Sequence, residues 1–209
     1  MSRMRNDEAV IGEWIKGGEA FVFYREPGER VCHGIRAARS SLQSFEVFPS
    51  NDGKTGFVFA PFRFGEGHPL WLLPLEEEIE VGISRAVCSD EVEAPAPMPF
   101  CGRLEEQPSK EYREAFRAFS GALRAGDFQK LVLSRGCTDA FPHGFSWARA
   151  FTAACRRYVH SYVYLFHTPQ TGFWLGATPE ILLAGGKGEY RTVALAGTQF
   201  PVSYTHLRA

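Results

Sequence analysis

The chain has 209 residues, 44% of them hydrophobic and 22% charged, with a formal net charge of -1. That composition supports a real core and excludes a disordered chain, in which low hydrophobicity and high charge prevent burial. The near-equal count of 23 basic and 24 acidic side chains leaves no whole-molecule field to attract nucleic acid or an anionic membrane, so neither is expected as a partner.

The opening MSRMRNDEAV is polar and lacks the apolar stretch of a secretory signal. No apolar run approaches the roughly 18–20 residues of a membrane span. Cys32, Cys88, Cys101, Cys137 and Cys155 are odd in number and form no C-x-x-C pair. They read as buried free thiols in a reducing cytoplasm rather than a disulfide framework. The six His show no H-x-x-x-H or H-E-x-x-H spacing, so no zinc site is expected.

The first hundred residues predict short strands, because aromatic and β-branched residues cluster between turn signals. The strands are expected at Ala20–Arg25, Phe45–Phe48, Phe57–Phe62, Leu70–Leu73 and Ile79–Ile83, with Asn51-Asp52-Gly53 as a hairpin turn between the second and third. Glu91–Pro99 is rich in Pro and Glu and reads as an extended linker. A helix follows, with Ser109 as N-cap, Tyr112, Phe116, Phe119 and Leu123 on one face, and Gly126 as the stop.

Gln129–Arg135 (QKLVLSR) predicts a strand with Lys130, Val132 and Ser134 on one face. A second helix is expected over Ser146–Tyr158, burying Ala148, Phe151, Thr152 and Cys155. Ser161–His167, Phe173–Gly176, Ile181–Leu183 and Tyr190–Gly197 predict further strands, with Tyr162, Tyr164 and Phe166 in the core. The elements do not alternate as β-α-β, so the expected class is α+β, mainly antiparallel sheet with two helices outside. Two Gly-Lys pairs fail as phosphate loops: the position five before Gly53 is Phe48, and Gly188 follows Lys187. Gly65-Glu66-Gly67 has no helix signal behind it.

Three segments in order carry a resemblance: GDFQKLVLSR at 126–135, WLGATPEILL at 174–183 and TVALAGT at 192–198, with YVYLF at 162–166 before the second. Together they resemble the chorismate-utilising enzymes, a family that includes the isochorismate, anthranilate, aminodeoxychorismate and salicylate synthases. The likeness covers about residues 105–199; the N-terminal hundred resembles the family only in being strand-rich.

The resemblance implies chorismate as substrate and Mg2+ as cofactor; the thiol reading gives a cytoplasmic location, and no obligate protein partner is evident in the sequence. The resemblance also implies a polypeptide about twice this length, with the magnesium ligands in a further C-terminal half. Residues 1–200 are therefore expected to be the N-terminal portion of one chorismate-binding domain. Pro201–Ala209 departs from the family's pattern and is expected to be a foreign tail.

The shared chemistry is nucleophilic addition to the chorismate ring with loss of its hydroxyl, and two proton-transfer groups are needed. Lys130 matches the family's base and Glu180 its general acid. Ala196, Gly197 and Thr198 match the substrate-binding motif, and Thr178 is a supporting hydroxyl. Apart from the resemblance, Lys130 reads as an ordinary strand lysine, Glu180 as a turn residue and Gly197-Thr198 as the end of a strand. A base lysine must be neutral and an acid glutamate protonated, so both roles call for partial desolvation.

The family's ammonia-using members usually carry Gln where Lys130 stands, and its water-using members carry Lys. The likeness is thus greatest to menaquinone-pathway isochorismate synthases, with the other synthases, or a β-rich binding module without activity, as alternatives.

Overall fold

The structure, a computed structural model, describes residues 7–47, 53, 55–83, 109–134, 138, 140–186 and 188–193. The chain forms two compact units, Met1–Arg85 with Ser146–Ala209, and Ala86–Phe145. Its elements are helical and antiparallel throughout, the α+β class expected. No helix among the described residues is long and apolar enough to cross a membrane.

The first unit is built on β1 (Ala20–Arg25), whose sequence AFVFYR is buried at every position except the half-buried Tyr24. It pairs on one side with β2 (Val31–Ala37) and on the other with β7 (Tyr162–Thr168). β6 (Glu77–Gly82) and β8 (Gly172–Thr178) form the edges, giving the order β6-β2-β1-β7-β8.

Alternate residues of β1 serve two different cores, as the two-residue period of a strand requires. Phe21 and Phe23 point to α1 (Asp7–Gly17) and α3 (Trp147–Arg157), where they meet Ile11, Trp14 and Phe151. Ala20 and Val22 point the other way, to a second sheet in which β5 (Leu70–Pro74) lies between β3 (Gln43–Phe45) and β4 (Gly56–Phe59). Phe166 of β7 sits on that second face, stacked on Phe59 at 4.5 Å. The unit is thus three layers deep: helices, a five-stranded sheet and a three-stranded sheet.

Arg25 ends β1 and is fully buried without a carboxylate partner. Its guanidinium donates to four backbone carbonyls, those of Tyr158 (2.6 Å), Val159 (2.9 Å), Ser161 (3.0 Å) and Glu26 (2.9 Å). Tyr158 is the C-cap of α3, so the cation sits by the end of the helix that carries partial negative charge. Its Nε is the one buried side-chain polar atom without a partner among the described residues.

Several expectations are met in detail. Ala148, Phe151, Thr152 and Cys155 are the buried residues of α3, and Ser146 caps it. Cys32 and Cys155 are buried free thiols. Gly186 and Gly188 flank the turn of a small hairpin, β9 (Ala184–Gly186) with β10 (Glu189–Arg191).

Others are corrected. β3 and β4 do not form a hairpin, because β5 lies between them and takes the hydrogen bonds of both. β4 ends at Phe59, and Phe62 is fully exposed. Ile181–Leu183 is not a strand; the ladder begins only at Ala184. Gln129–Ser134 makes no ladder bond among the described residues, since an isolated extended segment has nothing to pair with. Tyr162 and Tyr164 are half-buried rather than in the core. A third helix, α1, also forms: Val10, Ile11 and Trp14 share its buried side, and Gly18 ends it at φ 70°. The proposed linker at Glu91–Pro99 and the tail at Pro201–Ala209 lie outside the described residues.

Two predictions follow from this packing. Phe151 is fully buried between helix and sheet, so Phe151→Ala is expected to cost about 3–5 kcal/mol in urea unfolding. Phe62→Ala, at a fully exposed position, is expected to stay within ~0.5 kcal/mol.

A further prediction concerns Tyr162. Burial, then Tyr24, Glu26 and Tyr164, pushes its hydroxyl well above the ordinary value of 10.0. Tyr24 is raised likewise, by burial and by Glu78 and Glu26. A raised folded-state pKa gives stability that is complete below the unfolded value and is lost as pH rises through the folded one. Stability is therefore expected to fall above about pH 10, and Tyr162→Phe to flatten that fall in unfolding curves taken across the alkaline range.

Candidate functional site

Lys130 belongs to the second unit. Its position is set by α2 (Lys110–Ala125), which Ser109 caps by accepting the Tyr112 N–H at 3.2 Å. Gly126 closes the helix in the left-handed conformation, φ 81°, and Asp127 N–H donates to Ala122 O at 3.1 Å. This is the glycine-terminated stop that only a residue without Cβ adopts freely. The chain then runs out through Gln129–Ser134. Leu131 and Leu133 are half-buried, whereas Lys130, Val132 and Ser134 are exposed, so the two-faced alternation read from the sequence is present although the ladder is not.

Glu180 belongs to the first unit. β8 pairs with β7 along seven residues and ends at the pair Tyr162↔Thr178. Close packing here depends on Gly176: a Cβ at that position would lie 2.5 Å from the Tyr164 ring. After β8 the chain turns through Pro179. Glu180 N–H donates to Thr178 Oγ1 at 3.1 Å, a short turn of the kind threonine hydroxyls stabilise. Thr178 therefore acts on the backbone that carries the Glu180 carboxyl, which is exposed.

The second and third motif segments meet. Val193 N–H donates to Ile181 O at 2.8 Å, and the Thr192 hydroxyl lies 2.7 Å from Leu182 O and 3.3 Å from Ile181 O. The hairpin β9–β10 lies between these contacts in sequence, so TVALAGT starts beside the strand end that bears Glu180. Thr192 was not singled out from the sequence. The available signal was its place at the head of the motif, one residue after a predicted β position. Ala196, Gly197 and Thr198 lie outside the described residues.

Lys130 and Glu180 thus stand in different units, and each is placed by its own local structure. Both side chains are exposed, so the described residues do not supply the desolvation that an acid–base pair calls for. No three His, Cys, Asp or Glu side chains converge on a point among the described residues.

A family model described as Chorismate binding enzyme matches residues 75–202. It reaches back to β6, earlier than the point near residue 105 where the motifs begin. No curated protein and no solved structure matches the chain. More than half of the chain aligns with that model, and the chain belongs to the chorismate-binding enzyme family.

Proposed function

We propose that this enzyme is an isochorismate synthase. Lys130 takes a proton from a water molecule as its oxygen bonds to the chorismate ring. Glu180 gives a proton to the ring hydroxyl as its C–O bond breaks and it leaves as water. One hydroxyl is gained and one lost, so the product is an isomer of the substrate.

The observation that carries this reading is the identity of residue 130. Ammonia is already a nucleophile and needs no base, whereas water at neutral pH does. A lysine at this position thus favours water. Gln129 is the specific ground for the alternative, an ammonia-using anthranilate or aminodeoxychorismate synthase. Aligning Leu133-Ser134-Arg135 on the family's L-S-R puts Lys130, not Gln129, at the position of the base. That supports Lys130 as the residue offered to a ligand.

The magnesium requirement belongs to the same reading. Its ligands are expected outside the described residues, and loss of turnover on chelation, with recovery on adding Mg2+, is its test.

In the full-length enzyme, Lys130→Gln and Glu180→Gln are each expected to lower chorismate-to-isochorismate turnover by ~10²–10⁴-fold, the worth of one acid or base. Binding of chorismate, measured by calorimetry, should persist in both. Near-normal turnover by Lys130→Gln would sink the assignment, and ammonia-dependent formation of an amino product by the unmutated enzyme would move it to the ammonia-using branch.

Thr178 is a positioning residue. Thr178→Val should lower kcat about 2- to 10-fold, matching one hydrogen bond of ~0.5–1.5 kcal/mol, with KM little changed. Thr178→Ser should restore the rate, which a purely steric role for the threonine would not predict.

A further inference from the structure

A cleft of about 310 Å³ lies in the first unit, where the tip of the three-stranded sheet meets the β7–β8 turn. Phe59, Trp71 and Trp174 give it aromatic walls, and His68, Gln170 and Thr171 stand among its polar lining. The aromatic side chains are held in place from behind. Phe59 stacks on the buried Phe166 at 4.5 Å and meets Trp174 at 5.3 Å. The Trp174 indole N–H donates to Thr171 O at 3.0 Å, which fixes the tilt of that ring. Phe59 and Trp71 are opposite residues of β4 and β5, so the sheet register sets their spacing.

Three features describe what would fit. Among the described residues the lining contains no Asp, Glu, Lys or Arg, so these residues offer no counter-charge and disfavour an ion. The volume is at the lower end of small-molecule pockets, roughly 300–1,000 Å³. Trp174 remains open to solvent here, 49% exposed, while Phe59 and Trp71 are half-buried. The His68 imidazole and the Gln170 amide stand at exposed positions on the rim.

We propose that this cleft binds an uncharged, planar aromatic small molecule. Its ring stacks against Trp174 and Trp71, and its hydrogen-bonding substituent is met by His68 and Gln170. Aromatic faces reward flatness, because offset stacking needs two planes in contact. The inference is independent of the roles given to Lys130 and Glu180.

Benzamide, a neutral ring with one donor and one acceptor group, is the probe. It would be titrated into ¹⁵N-labelled chain while the indole N–H signals are followed by NMR. Saturable shifts are expected at Trp174 and Trp71, with Trp14 and Trp147 unmoved. Cyclohexanecarboxamide has the same amide on a puckered ring, and benzoate the same ring with a charge. Each is expected to bind at least about tenfold more weakly, the scale of one stacking contact or one missing counter-charge.

Trp174→Ala should weaken benzamide about tenfold, Trp174→Phe much less, and His68→Ala or Gln170→Ala about 2- to 10-fold. The two rim variants lie at exposed positions and test the site even where Trp174→Ala disturbs folding. Equal binding of cyclohexanecarboxamide, shifts centred on Trp14 or Trp147, or shifts that never saturate would overturn the proposal.

Discussion

The pairing of β1 with β7 is the constraint on which the first unit rests. It joins two segments far apart in sequence, with the whole of Ala86–Phe145 inserted between them. Neither strand is stable alone, since each presents apolar residues on both sides. Together they supply the floor of one core and the ceiling of the other. Arg25 fastens the same junction, reaching the carbonyl of Val159 across 134 residues of chain. Removing its side chain would break four hydrogen bonds at this junction, although the Tyr158, Val159 and Glu26 carbonyls keep backbone donors from Ser161, Gly28 and Glu29.

The site inherits its geometry from that sheet. β8 is held by β7 in full register, so the turn bearing Glu180 begins at a fixed point, next to Tyr162. The bonds from Thr192 and Val193 then bring the start of the third motif to the same point. Two segments that sequence reading could only place in order are therefore neighbours in space. The first motif takes a different route: Lys130 is delivered by a helix stop, a local device that needs no sheet.

Local signals were legible in the sequence where side-chain chemistry decides them. The capped helices at Ser109 and Ser146 and the buried set of α3 could be read from spacing and hydroxyl N-caps. Strand pairing was not legible, because the order β3-β5-β4 is decided by which apolar face finds which partner. The Asn51-Asp52-Gly53 signal suggested a direct hairpin, but Leu70–Leu73 brings the larger apolar surface and takes the middle place. α1 was missed although Val10, Ile11 and Trp14 are helically spaced, because Gly12 and Gly17 weaken the helix signal of the segment. For the site, residue identities at Lys130 and Glu180 were readable, but the meeting of Thr192 with Leu182 depends on a hairpin no motif encodes.

The two edges of the five-stranded sheet differ in a way that bears on how the chain behaves in concentrated solution. β6 reads EEIEVG and carries Glu77, Glu78 and Glu80, whose like charges repel an approaching strand. β8 reads GFWLGAT, with no charge and no proline, and its outer side has no partner among the described residues. Among the described residues no strand takes up the backbone groups there, and Trp174 and Leu175 add apolar surface beside them. That asymmetry favours strand addition at β8 over β6 where copies meet edge to edge. A single lysine on the outer face of β8 would act as a gatekeeper against that growth.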